Sequence, residues 1–237
     1  MKDRPKITLL THFEELRRRI LIFLAFLFVI WAGLFFQFNH LVPVFLRPYR
    51  QAFPGQNLNL VFTSLPEAIM AALKSTFFLA LALSLPVLIF QAWRFLSPAL
   101  YPEEKRLMRR LLALASLFTA GGIFLAYWLV FPSLLKFFLG LGYTHFEPLL
   151  RIQSYLSFLG KGVLVAALVA QIPVVTAGLV KLELLPRGLG KKRYLYLLGI
   201  SYALGLFISP GDPIGQLILA LSFFLLLQSG FLVAKLL

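Results

Sequence analysis

The 237-residue sequence has no cysteine, which excludes disulfides, thiolate metal sites and thiol nucleophiles. Acidic residues are scarce: nine Asp and Glu stand against 23 Lys and Arg, a formal net charge of +14. Histidine is rarer still, at His12, His40 and His145. Only 14% of the chain is charged while 60% is hydrophobic, whereas a soluble domain averages roughly a quarter charged and half apolar. Disorder, a disulfide scaffold and an ordinary soluble enzyme are excluded on these figures. A chain this basic could bind nucleic acid, but apolar content this high makes a membrane the first explanation.

Long uncharged runs are what the sequence has instead. Six of them are bounded by charges or prolines: Ile20–Phe36, Ser75–Trp93, Leu111–Leu135, Gly162–Val180, Tyr194–Ser209 and Ile214–Ala234. Crossing a hydrocarbon core of about 30 Å takes roughly 20 helical residues. The runs therefore predict an all-α integral membrane protein, a single polytopic domain over residues 1–237 with six transmembrane helices. The fifth run reaches only about 24 Å as a helix, so it sits in thinned bilayer or has its ends covered by protein. The first lacks a small-x-small cleavage site and is too long for a signal-peptide core. With the N-terminus inside, the inner loops and the tail carry 17 Lys and Arg and the outer loops 6. Positive charge favours the inner side, so both termini are expected in the cytoplasm.

Local signals add detail. Thr11-x-x-Glu14 and Ser64-x-x-Glu67 read as capping boxes that start the first and second helices outside the apolar runs. Pro102-Glu103-Glu104 reads as a third helix start, with proline and two carboxylates in the first turn. Pro86, Pro132 and Pro173 fall inside apolar runs, which predicts a bent, concave bundle. There is no internal repeat of the kind many carriers show.

Enzyme signatures are missing: there is no HExxH, no GxSxG and no phosphate-cradling glycine loop. The polar side chains at membrane depth are chiefly Gln91, Gln171 and Gln228. A proton-coupled carrier places Asp, Glu or His there. A small-solute or ion carrier is therefore the second reading and a membrane enzyme the third. Six of the nine carboxylates fall on the basic cytoplasmic side: Asp3, Glu14, Glu15, Glu103, Glu104 and Glu183. Four of them have a local explanation. Glu14 belongs to a capping box, Glu15 can pair with Arg18 or Arg19 on the same helix, and Glu103 and Glu104 suit a helix start. The residues alone leave open whether any of them contacts a ligand.

Four motifs in order then carry a resemblance. They are His12-Phe13-Glu14-Glu15-Leu16-Arg17, the stretch Gln91-Ala92-Trp93-Arg94-Phe95 through Pro98, Leu100, Tyr101 and Glu104, the spacing Phe118-x-x-Gly121-x-x-Phe124-x-x-Tyr127 before Pro132, and Ser209-Pro210-Gly211-Asp212-Pro213 with Gln216. This pattern resembles the TatC family, the multi-spanning receptor components of twin-arginine protein translocases. The resemblance implies a non-enzymatic, cofactor-free receptor in the inner membrane. Such a receptor binds signal peptides bearing an Arg pair and works with the single-span subunits TatA and TatB. Folded cargo is exported at the expense of the proton motive force. Membrane lipids are further contacts, nucleic acid is not, and self-association stays open. By the same resemblance Glu15 and Glu104 are the carboxylates that take the two guanidinium groups, with Arg17 and Phe95 lining the site. Bidentate, charge-assisted bonds would supply both geometry and energy, about 1.5–3 kcal/mol each. Gln171 stands where the family often has an intramembrane Glu, and Leu227-Gln228 where it often has Tyr-Glu. Gln171, Pro48 and Asp212 are the weaker candidates for contact with partner subunits. For Gln171, a bond to a carbonyl freed by Pro173 has equal weight. On the outer side, Pro48, Glu67 and Asp212 read mainly as a turn, a helix cap and the tight turn before the last helix.

Overall fold

The computed structural model describes residues 9–54, 60–61, 63–96, 102–140, 150–181, 190–208 and 213–237. Within these, the side chains at 9–12, 96, 102–105, 138–140, 190–193, 207–208, 214–215 and 218–219 lie outside the description. The described residues form α1 (Leu9–Phe36), α2 (Phe38–Ala52), α3 (Glu67–Leu96), α4 (Pro102–Leu125), α5 (Phe131–Gly140), α6 (Ile152–Val169), α7 (Ile172–Lys181), α8 (Gly190–Ile208) and α9 (Pro213–Leu236). A π-helical turn, Ala126–Val130, joins α4 to α5. Two short strands, β1 (Leu60–Val61) and β2 (Leu150–Arg151), pair in parallel with Leu60 opposite Leu150. Four stretches are long and apolar enough to cross a membrane: Phe13–Phe36, Glu67–Phe95, Arg106–Phe137 and Ile152–Lys181. Shorter apolar stretches, Tyr194–Leu206 and Ala220–Leu236, lie in α8 and α9. The chain is an all-α membrane protein.

Its contacts divide it into two compact units, Met1–Leu100 with Thr119–Val169, and Tyr101–Phe118 with Ala170–Leu237. In the first unit α3 packs against α1 and α6. Lipid tails are as apolar as leucine, so helices in a membrane associate by close packing of small residues rather than by the hydrophobic effect. Ala71, Ser75 and Ala82 on α3 are fully buried. Gly160 on α6 comes so close that a Cβ there would stand 3.2 Å from the Ser75 Cα. Hydroxyls on the tight face bond to their own helix, Ser75 to the Ala71 carbonyl and Thr76 to the Ala72 carbonyl, both at 2.7 Å. The Trp31 indole of α1 donates to the Leu73 carbonyl of α3 at 3.2 Å. In the second unit α9 packs against α7 and α8, and Arg110 of α4 donates to the Leu237 carbonyl at 2.7 Å.

Helix α2 corrects the reading of Pro48 as a turn residue, because Pro43 and Pro48 both lie inside a continuous helix. Proline at 48 cannot donate to the carbonyl four residues back. That carbonyl, on Val44, instead accepts from the Tyr127 hydroxyl at 2.8 Å. The converse holds across the same contact. Pro132 cannot donate to the Trp128 carbonyl, which accepts from Gln51 Nε2 of α2 at 3.3 Å. Each proline frees a backbone acceptor on its own helix, and a side chain from the other helix fills it. Arg47 also lies 4.4 Å over the Trp128 ring. The π-turn beside this contact shows in the Phe131 N–H, which bonds the Ala126 carbonyl five residues back. Phe45, Pro48, Tyr49 and Ala52 form the buried stripe of α2, at the spacing of one helix face.

The remaining sequence signals divide. Helix α4 starts at Pro102, as expected. Helix α1 already runs from Leu9, so Thr11 lies within it and does not cap its start. Helix α3 runs through Pro86, whereas Ala170 and Gln171 form a turn between α6 and α7 just before Pro173. At the start of α3 the capping carboxylate reaches one residue further back than a capping box requires. Glu67 Oε2 accepts from both the N–H and the hydroxyl of Thr63, each at 2.7 Å, while Arg151 Nε donates to Oε1 at 3.2 Å. Glu67 is 1% exposed. It stands at the start of the stretch Glu67–Phe95, where these bonds satisfy its carboxylate.

Candidate functional site

The charged end of α1 presents Glu14, Glu15, Arg17, Arg18 and Arg19 on successive helical positions. Residues four apart share a helix face, so Glu15 and Arg19 can meet. They do, with Arg19 Nη2 donating to Glu15 Oε1 at 2.8 Å. The Glu15 side chain keeps 28% of its surface exposed, leaving it open to a second cation. Arg17 is exposed and lies about 200° round the helix from Glu15, since each residue turns roughly 100°. Arg17 therefore stands on another face, and the structure does not bring it to the Glu15–Arg19 pair. That pair is the i,i+4 alternative foreseen from the spacing.

Phe95 comes from the last turns of α3 and meets this end of α1. Leu16, Arg19 and Phe23 on α1, with Leu88, Gln91 and Phe95 on α3, line a cavity of about 270 Å³. Gln91 is 8% exposed. Its Oε1 and the Nε of Arg19 are both buried without a hydrogen-bond partner among the described residues. The sequence marks Gln91 as a polar residue at membrane depth and as the first residue of the second motif, not as a cavity wall. Its position two residues before Trp93 and four before Phe95, on the face toward α1, needs the packing of the two helices to be seen.

Glu104 lies in the first turn of α4, in the other compact unit, and its side chain falls outside the described residues, as does that of Glu103. Asp212 and the turn before α9 also lie outside them. Gln171 is 5% exposed, and its Nε2 donates to the Ala115 carbonyl of α4 at 3.1 Å. That amide binds a neighbouring helix of its own chain. Pro48 is buried in the first unit. Among the described residues no group of three or more His, Asp or Glu side chains could hold a metal ion. The chemistry on offer is recognition of a cation by a partly exposed carboxylate, next to an apolar cavity with two unsatisfied polar atoms.

Residues 11–221 match the family model described as Sec-independent protein translocase protein (TatC). The TatC of Carboxydothermus hydrogenoformans is 30% identical over 99% of this chain and 95% of its own length. That of Aquifex aeolicus is 32% identical over 95% of this chain and 93% of its own. That of Escherichia coli K12 is 31% identical over 94% and 86%. The crystal structure of a twin arginine translocase receptor, TatC, superposes with a TM-score of 0.75 at 29% identity, covering 95% of this chain and 98% of that one. With the four ordered motifs, the family model and this fold in agreement, the chain belongs to the TatC family of Sec-independent protein translocase proteins.

Proposed function

We propose that this translocase protein is the receptor that binds Arg-Arg signal peptides at the cytoplasmic face of the inner membrane. Glu15 and Glu104 take the two guanidinium groups, and Arg17 and Phe95 flank them. It then assembles with TatA and TatB to export folded proteins with the proton motive force, its termini in the cytoplasm. The observation that carries this reading is the Glu15–Arg19 pair. A carboxylate set among arginines already holds one guanidinium at 2.8 Å and remains partly exposed. An incoming arginine meets a carboxylate with Arg17, Arg18 and Arg19 close by in sequence. It need only share or displace a resident ligand of its own kind, and a planar guanidinium matches a carboxylate better than an ammonium does. Gln171, Pro48 and Asp212 remain the weaker candidates for subunit contact, and the Gln171 amide would first have to leave the Ala115 carbonyl.

Binding of a labelled twin-arginine peptide to the purified protein tests the assignment. Affinity should fall about tenfold or more in Glu15→Ala and in Glu104→Ala, at the lower end of what charged hydrogen bonds contribute. A Lys-Lys peptide should bind more weakly to the unaltered protein. Unchanged affinity in both variants would sink the proposal.

A further inference from the structure

A larger cavity, of about 420 Å³, lies wholly within the first compact unit, where α2, α3, α4 and α6 meet beside the π-turn. Its lining runs along the third membrane stretch from Ala120 to Phe131, about 16 Å at 1.5 Å per residue. That is half of a hydrocarbon core of about 30 Å, the depth of one leaflet. Leu83 and Phe124 on its rim are exposed, so it opens sideways at membrane depth. The described walls are apolar except for Tyr127, whose hydroxyl is already bonded to the Val44 carbonyl at 2.8 Å. A polar ligand would find nothing there to bond. An apolar cavity of about 150 Å³ holds the six carbons of benzene. At the same volume per carbon, 420 Å³ takes about seventeen carbons. A partner helix along the same length, about 10 Å across, would need roughly 1,200 Å³ and does not fit.

A cation stands at the α2 end of this cavity. Arg47 follows Val44, a lining residue, on the same helix face. It lies 4.4 Å over the ring of Trp128, the residue after Tyr127. Arg47 and Trp128 are both exposed, and among the described residues no carboxylate pairs with Arg47. Tyrosine and tryptophan gather at the level of lipid headgroups, and arginine near a helix end reaches for the same level. The indole covers one face of the guanidinium and leaves its edge N–H groups free for a phosphate. We propose that this cavity holds one acyl chain of a phospholipid whose phosphate sits on Arg47. The chain fills one leaflet's depth between α3, α4 and α6, and the headgroup lies against α2. The site shares no residue with the proposed signal-peptide contacts and stands independently of them.

Native mass spectrometry of the full chain in detergent tests the site, with two probes added in turn. One is dioleoyl phosphatidylglycerol; the other is dioleoylglycerol, which has the same chains and no phosphate. Ala120→Phe fills the cavity from α4 and should weaken both probes about tenfold. Leu83→Trp fills it from α3, should do the same, and keeps the test open should Ala120→Phe fail to fold. Leu117→Phe, on an exposed part of α4 outside the lining, should change neither. Arg47→Gln should weaken the phospholipid about fivefold and leave dioleoylglycerol unchanged, and Arg47→Lys should restore most of the difference. A purely structural role of Arg47 in seating α2 would instead weaken both probes alike, which overturns the headgroup contact and the phospholipid with it. Unchanged binding in both filled variants, or an equal loss in Leu117→Phe, shows lipid held only around the outside and overturns the site. A photocrosslinker at position 83 should capture phospholipid in native membranes. Capture of a protein chain and no phospholipid gives the cavity to a partner and overturns it as well.

Discussion

Tyr127 offers a sharp check on how α2 survives its own proline. In a regular helix the Val44 carbonyl would accept from the N–H of residue 48, but proline has none. The Tyr127 hydroxyl takes its place at 2.8 Å. Tyr127→Phe removes that donor and changes little else in shape. A net hydrogen bond contributes about 0.5–1.5 kcal/mol, and an acceptor left unsatisfied costs about 1–3 kcal/mol. Val44 is 48% exposed, so the lower part of that range applies, about 1 kcal/mol. For a protein of this size that lowers the melting temperature by roughly 2–4 °C. Pro48→Ala restores an N–H at position 48 and lets α2 bond the Val44 carbonyl itself. In that background Tyr127→Phe should cost a few tenths of a kcal/mol, and the double-mutant cycle should show a coupling near 1 kcal/mol. Thermal unfolding of the four purified proteins in detergent measures it. Equal losses from Tyr127→Phe in both backgrounds would show that the hydroxyl does not substitute for the missing amide.

Other outcomes follow from the same structure. Gly230→Ala should destabilise by about 1–3 kcal/mol, because its Cβ would stand 2.8 Å from the Pro173 carbonyl oxygen and press α9 off α7; Gly33→Ala, with nothing within 4 Å, should be neutral or stabilising by up to about 1 kcal/mol. Melting temperatures of the two variants distinguish the cases. Arg47→Ala should loosen the α2 contact by about 0.5–1 kcal/mol through loss of the stack on Trp128, seen as faster proteolysis within residues 38–52.

How much of this was legible beforehand varies with the range of the interaction. Hydropathy located the four stretches that are long and apolar enough to cross a membrane, because crossing lipid demands length and apolarity that any sequence must display. The Glu15–Arg19 pair was within reach of spacing alone, since four residues on a helix always face the same way. Helix α2 was not. Pro48 read as a turn, although the stripe at 45, 48, 49 and 52 has a helical period that holds through both Pro43 and Pro48. Glu67 was read as a cap, and it is one, but its third partner is Arg151, 84 residues away.

By itself, then, the sequence determined the all-α membrane class, the basic asymmetry of the loops and the family motifs, including Glu15, Arg17, Phe95 and Glu104 as candidate contacts. Those properties are local or cumulative, and the backbone and the bilayer enforce them residue by residue. Only the tertiary structure decided that Gln91 and Phe95 face Arg19 across a cavity, that Arg17 points elsewhere, and that Gln171 is tied to Ala115. It also decided that the carbonyls freed by Pro48 and Pro132 are answered from the opposite helix. A polar group in an apolar interior takes whichever partner packing brings within about 3 Å, and that choice is made between helices far apart in the chain.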